Sequence, residues 1–112
     1  MTGMKPTLRE LTAAHFEPHA GGTFIFQAPA DANGNPGPET TMELLEVSLG
    51  RKVPAARQPF SLLFRRTAGP ELAPVLHLIV HEAFEQEWMY LSRIAPPLDR
   101  DPAESYYEAA FN

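Results

Sequence analysis

Short segments in which apolar and polar residues alternate recur along the chain, and this alternation predicts strands. The clearest segment is 60–66, where Phe60, Leu62 and Phe64 fall on one face. Segment 40–49 is partly apolar on both faces, which suggests a closed or two-layer sheet. Other strands are predicted where β-branched and aromatic residues lie beside glycine or proline turns or loops, at 23–28 and 105–111.

Segment 75–91 fits two patterns. Its apolar residues follow a helical stripe, with Pro74 suited to a helix start, and the spacing alone slightly favours a helix. The alternative is a β-hairpin, in which VLHLIVH is one strand with Leu76, Leu78 and Val80 inward. An acidic turn and a second strand, EWMYLSRI, would complete it. We adopt the hairpin because of the family resemblance described below.

Turn-forming residues separate these segments closely. Residues 29–39 contain Asn33-Gly34 and two prolines beside Gly37, with no apolar residue larger than alanine, which predicts a long surface loop. Residues 8–16 can form at most a short helical turn, because Pro18 follows.

The predicted fold is therefore all-β in the main. We expect a single domain over 1–112, with about six antiparallel strands curled into a small barrel or sandwich and a short N-terminal helical turn. A chain of 112 residues is typical of one domain. The predicted core consists of Phe24, Phe26, Leu44, Phe60, Leu62, Phe64, Leu78, Val80, Leu91 and Phe111.

Composition narrows the class of protein. The apolar fraction of 44% and charged fraction of 21% are those of a globular chain, and the 12 prolines keep the regular elements short. The sequence has no apolar run long enough for a signal peptide or a membrane span, so we expect a cytoplasmic protein without a membrane partner. The absence of cysteine excludes disulfides and thiolate chemistry.

The spacing of histidines and serines along the chain bears on whether it holds a metal ion or a catalytic nucleophile. His77 and His81 would lie on one face of a helix, but about 13 Å apart on a strand, too far to share a metal ion. His15 and His19 have the same spacing, but Pro18 interrupts the helix that would align them. The serines lie in no nucleophile motif. We therefore predict no catalytic residue, no metal site and no cofactor.

Charge and aromatic residues are unevenly distributed. Residues 51–66 hold five of the 9 basic side chains and none of the 14 acidic ones, whereas the net charge of −5 opposes binding of nucleic acid. Aromatic residues cluster in the last two predicted strands, where they form either core or a binding patch. The candidate interaction residues are Arg57, Arg65, Arg66, Trp88, Tyr90 and Tyr106.

Two motifs resemble a family of small bacterial proteins that is defined only as a domain of unknown function. They are R-Q-P-F-S-L-L-F-R at 57–65 and Y-E-A-A-F-N at 107–112, which match the family patterns R-x-P-F-S-L-x-F and Y-E-A-x-F-N. The family carries a glycine after the His81 region that implies a hairpin there, although this chain has Glu85 at that position. Relatives are often encoded beside phage-tail-collar-like proteins, which implies an accessory role.

These observations rank three functions. The first is a non-enzymatic module that contacts another protein through the basic strand at 51–66 or the aromatic patch, with a homo-oligomer as a possible assembly. The alternative is a small β-barrel that binds an apolar small molecule in an internal cavity. An enzyme ranks third.

Overall fold

Seven antiparallel strands form one sheet, which curls into a half-barrel. The structure is a computed structural model that describes residues 10–51, 57–72 and 76–111. Within this part no helix is long and apolar enough to cross a membrane. The elements are α1 (Ala13–Phe16), a 3₁₀ turn (Glu17–His19), β1 (Thr23–Gln27), β2 (Glu39–Leu49), β3 (Phe60–Ala68), β4 (Leu76–Val80), β5 (Trp88–Tyr90), β6 (Ser92–Ile94) and β7 (Tyr106–Phe111).

The strand order is β5-β4-β1-β2-β3-β7-β6, so the two edge strands are β5 and β6. These edges are consecutive in the chain and are separated by Leu91 alone. The predicted mainly β, antiparallel fold is confirmed, but the sheet has seven strands and forms a half-barrel instead of the predicted six-stranded barrel or sandwich. The segment expected to form one strand after the acidic turn changes partner at Leu91, pairing first with β4 and then with β7.

The hairpin predicted for 75–91 is confirmed, but the inward face predicted for its first strand is wrong. Ile79 lies opposite Phe26 of β1, and directly opposed residues share a face, so Ile79 points inward with the buried Phe26. Leu78 and Val80 consequently point outward, and the buried His77 lies on the inner side. The pairing register with β1 decides the face, which the sequence of β4 alone leaves open.

The inner face of the sheet is packed with aromatic rings. Phe60 and Phe111 stack with centroids 4.5 Å apart, and Phe26 meets Phe64 edge to face at 5.1 Å. All predicted core residues other than Leu78 and Val80 are buried. Strand β2 is partly apolar on both faces because its register with β3 is irregular between residues 44 and 46. Beyond this irregularity Val47 packs against the core.

The N-terminal helical segment covers one end of this core. Phe16 at the end of α1 is fully buried and stacks on Phe84 at a centroid distance of 4.6 Å. The chain then continues as a 3₁₀ turn with Pro18 in its first positions, where the missing amide hydrogen of proline is tolerated. The short helical turn predicted up to Phe16 is confirmed over Ala13–Phe16, and its predicted start at residue 8 lies outside the described residues.

Candidate interaction surface

The outer face of the β4–β5 hairpin carries large apolar side chains in cross-strand pairs. Leu76 lies opposite Tyr90, and Leu78 lies opposite Trp88. Leu76, Trp88 and Tyr90 are 50%, 46% and 53% exposed. Strand alternation explains their direction, since the residues between them face the core. Leu76, Leu78, Trp88 and Tyr90 are called the outer patch.

The outer patch extends onto the neighbouring strand β1. Ile25 lies opposite Val80 and Gln27 opposite Leu78, and all four side chains are half-buried. Three side chains of roughly 200 Å² each, half exposed, give the patch about 300 Å² of accessible apolar surface. Exposed apolar patches of this size on a monomer are often functional.

A shallow groove of about 300 Å³ separates the outer patch from the loop between β1 and β2. The outer face of the sheet forms one wall of the groove, and the loop forms the other. Residues that line the groove include Gln27, Ala28, Ala30, Pro36, Leu78 and Trp88. Apart from Gln27 and the indole N–H of Trp88, the side chains of these six residues are apolar, so the groove favours apolar contacts.

The loop wall of the groove is fixed by its own hydrogen bonds. The Asp31 carboxylate accepts from the backbone N–H of Asn35 at 3.0 Å, from the Asn35 amide at 3.2 Å and from the backbone N–H of Asn33 at 2.8 Å. These bonds, those from Asn35 first, lower the pKa of Asp31. At Gly37 a Cβ atom would come within 2.5 Å of two backbone carbonyl oxygens, so only glycine fits there.

A second cleft lies at the turn between β4 and β5 and has acidic side chains at its rim. Its lining includes Val80 and His81 together with Glu82 and Glu85. Glu82 and Glu85 are exposed, and neither forms an ion pair with another described residue. We call these two residues the acidic pair.

The structure places Trp88 and Tyr90 together but sets Arg65 and Arg66 apart from them. The arginines lie on β3, which is separated from β5 by three intervening strands in the sheet order. Arg65 forms an ion pair with Glu43, and Arg66 pairs with Glu71 at 3.0 Å and donates to the carbonyl oxygen of Gly69 at 2.7 Å. Their charges are thus largely used within the molecule, while Lys52 of the predicted basic region lies outside the described residues.

Arg57 links the N-terminal segment to the sheet. Its Nη1 donates to the carbonyl oxygen of Leu11 at 2.9 Å. Its guanidinium carbon lies 5.7 Å from the ring centroid of Phe60 and 5.6 Å from that of Phe111, within cation–π range. The side chain is therefore engaged in the fold at a point away from the outer patch.

Tyr106 is a candidate interaction residue whose ring the sequence leaves as either core or part of a binding patch, and the structure buries it. It is 1% exposed, and its hydroxyl donates to the carbonyl oxygen of Asp101 at 2.9 Å. This contact brings the loop before β7 against the ring. The next residues alternate, and Tyr107, Ala109 and Phe111 lie on the inner face opposite buried residues of β3.

Glu71 is the centre of the best-connected polar site in the described residues. Ser105 Oγ and the Tyr107 hydroxyl donate to its carboxylate at 2.6 and 2.5 Å, and Arg66 and Arg93 pair with it. The bonds from Ser105 and Tyr107 lower the pKa of Glu71. Burial, followed by the bond to Glu71, raises the pKa of Tyr107. Sequence patterns gave no sign of this cluster.

The Tyr107 hydroxyl also has a second bond, which it accepts from the backbone N–H of Leu72 at 2.9 Å. It therefore joins the segment before β4 to β7 through both its donor and its acceptor capacity. The bonds of Tyr107 and the ion pairs of Glu71 thus fix the 69–72 segment to the sheet.

The fold also brings together two histidines that were considered in separate pairs. His19 and His81 meet with ring centroids 4.8 Å apart, and His81 stacks on Phe24 at 4.4 Å. The N–H of Ala83 donates to Nδ1 of His81 at 3.0 Å, so in the neutral ring the proton lies on Nε2, where a metal would otherwise bind. Among the described residues no group of three or more His, Cys, Asp or Glu side chains could hold a metal ion.

Comparison with known proteins identifies a family and no function. The family model described as Domain of unknown function (DUF6916) matches residues 11–111. No curated protein and no solved structure matches the chain. The resemblance predicted from the sequence is confirmed to that extent.

Proposed function

We propose that this chain, which belongs to the family described as Domain of unknown function (DUF6916), is a protein-interaction module that binds its partner through the outer patch. One observation carries the proposal: Leu76, Trp88 and Tyr90 are about half exposed on one hairpin at the edge of the sheet. Aromatic side chains in the centre of an interface contribute most of its binding energy, which agrees with a Trp and a Tyr at this place.

The packing of the inner face supports this function over the alternative of a barrel that holds an apolar small molecule. Rings from the helical segment and from several strands are in mutual contact there, at centroid distances such as 4.6 Å for Phe16 and Phe84. The space such a ligand would need is taken by side chains. The half-exposed apolar surface lies outside the sheet, where another protein can cover it.

A non-enzymatic role is supported by what the polar side chains do. The cluster around Glu71 holds the 69–72 segment to β7, and Arg57 holds the N-terminal segment to the sheet. These hydrogen bonds serve the packing of the fold. The resemblance to bacterial proteins encoded beside phage-tail-collar-like proteins further supports an accessory or assembly role, for which the cytoplasm is the expected compartment.

The size of the patch indicates what kind of interface it would form, and the net charge of the chain favours a different protein over a second copy. The patch of about 300 Å² is smaller than the roughly 800 Å² that each partner buries in a standard interface, so it would form the apolar centre within a polar rim. A homodimer would bring together two chains with a net charge of −5 each, which opposes association.

Site-specific photocrosslinking in the cells that naturally make the protein tests this function. A benzoylphenylalanine placed at Tyr90 is expected to give one defined adduct with another protein, and the same probe at Leu49, which is 60% exposed on β2, is expected to give none. The additional change Trp88→Ser should remove the Tyr90 adduct. Equal adducts from both positions, or none from Tyr90, would overturn the proposal.

A further inference from the structure

The groove beside the outer patch and the acidic cleft lie along the same strand. Leu78 lines the groove and Val80 lines the cleft. Residues two apart on a strand are about 7 Å apart, so a bound chain needs only two or three residues to reach from one to the other. A single extended segment can therefore contact both.

The groove has the chemistry of a site for a proline-containing segment. Trp88 offers a half-exposed aromatic face and an indole N–H, and Pro36 and Leu78 form apolar walls beside it. A polyproline II segment has no internal hydrogen bonds, is largely preformed, and packs its rings on aromatic side chains while its carbonyl oxygens accept from donors such as the indole.

Other forms of bound peptide fit this surface less well. A strand added to the sheet edge would pair with β5, which has only three residues, Trp88–Tyr90. The groove has a volume of about 300 Å³, whereas an α-helix with its side chains is roughly 10 Å across and needs a longer apolar channel. The short edge and small groove favour the thinner polyproline II segment.

Charge specifies the end of the segment. Glu82 and Glu85 have no ion-pair partner among the described residues, whereas Arg65, Arg66, Arg93 and Arg100 each pair with a glutamate. An uncompensated negative pair next to an apolar groove attracts an arginine or lysine of the ligand.

We infer that the outer patch binds an extended, proline-containing segment of a partner protein, with proline rings against Trp88 and a basic side chain two or three residues away over the acidic pair. This inference rests on the proposed function and specifies the chemistry of the partner. A second copy of this chain is disfavoured by its net charge of −5.

Titration with synthetic peptides followed by nuclear magnetic resonance tests the inference. The probes are Arg-Arg-Ala-Pro-Pro-Ala-Pro-Pro and its reversed sequence, each with blocked ends, because polyproline II segments can bind in either direction. The expected result is saturable shifts of the Trp88 indole N–H and of the amides at 78 and 82–85, with a Kd between about 10 μM and 1 mM, as expected for a short peptide. The indole is readily assigned, since Trp88 is the sole tryptophan of the chain.

Matched peptides and variants separate the two parts of the site. Exchanging the arginines for glutamates should weaken binding at least tenfold, and exchanging the prolines for serines should abolish it. Trp88→Ser should weaken binding at least tenfold, whereas the double change Glu82→Gln and Glu85→Gln should remove only the preference for arginine. Leu49→Ser, at an exposed position away from the patch, should bind as the unmodified protein does.

The outcomes distinguish this inference from the proposed function. Suppose that neither peptide shifts the indole signal at about 5 mM, which is roughly five times the weakest expected Kd, while photocrosslinking from Tyr90 still gives its adduct. The inference is then overturned and the interaction module stands. Concentration-dependent shifts of the indole without peptide would assign the patch to a second copy, which also overturns the inference. If the Tyr90 adduct is absent, both fail.

Discussion

Removing the hydroxyl of Tyr107 measures how strongly the segment before β4 is held to the sheet. The ring is fully buried, and its hydroxyl both accepts from the N–H of Leu72 and donates to Glu71. Tyr107→Phe leaves the buried N–H of Leu72 without its acceptor, at a cost of about 1 to 3 kcal/mol. The lost bond to Glu71 adds little, because that side chain is 40% exposed and solvent replaces the donor.

The free energy of unfolding of Tyr107→Phe is therefore expected to fall by about 2 kcal/mol, or about 8 °C in Tm for a domain of this size. Urea titration followed by circular dichroism measures it. Tyr90→Phe is the matched control, because Tyr90 is 53% exposed, and it should change stability by less than about 0.5 kcal/mol. A loss from Tyr107→Phe no larger than that of the control would refute the reasoning.

Four further perturbations test the same structure. The pKa of Glu71 is lowered in the folded state, so the charged carboxylate stabilises the fold fully above its ordinary pKa of about 4.5. This stabilisation is lost as the pH falls through the lowered folded pKa. Glu71→Gln should flatten this part of the curve of unfolding free energy against pH, measured by urea titration. Because the pKa of Tyr107 is raised, stability should fall as pH rises above about 10, a slope that Tyr107→Phe removes. Phe16→Ala should cost about 4 kcal/mol in urea titration because the ring is fully buried, whereas Leu49→Ala, at a position 60% exposed, should cost almost nothing. Gly37→Ala should alter amide signals throughout the 28–38 loop, since its Cβ would lie 2.5 Å from backbone oxygens; an unchanged loop spectrum would contradict this.

The elements governed by local patterns could be predicted from the sequence. Strand β3 follows a strict alternation of Phe60, Leu62 and Phe64, and all three side chains are buried. The glycines and prolines of segment 29–39 predict its loop, and in the structure β2 begins only at the last residue of this segment, Glu39. The family resemblance correctly favoured a hairpin where the apolar spacing alone slightly favoured a helix.

What depends on pairing between distant strands could not be predicted. The inward face of β4 is decided by its register with β1, so Leu78 and Val80 were assigned to the wrong side. The split of the last hairpin strand at Leu91 depends on β7 pairing with β6 across the sheet. The Glu71 cluster unites segments of the chain that no local spacing connects.

The exposed surface of the β4–β5 hairpin could be predicted only in part. Trp88 and Tyr90 are candidate interaction residues from the sequence, and both are exposed, while their role in binding stays a prediction. Their partners Leu76 and Leu78 were missed because the predicted hairpin turned both side chains inward. The sequence Trp88-Met89-Tyr90 does indicate this surface. In a strand that turns Met89 inward, both aromatic side chains point to the outer face.

The single residue between β5 and β6 has a consequence for local unfolding. Amide hydrogen exchange shows that proteins open locally in roughly contiguous cooperative units. Here Leu91 is fully buried and is flanked directly by both edge strands. An opening that releases Leu91 frees β5 from β4 and β6 from β7 together, so the amides at 89 and 93 should exchange as one cooperative unit although they lie at opposite ends of the hydrogen-bonded order.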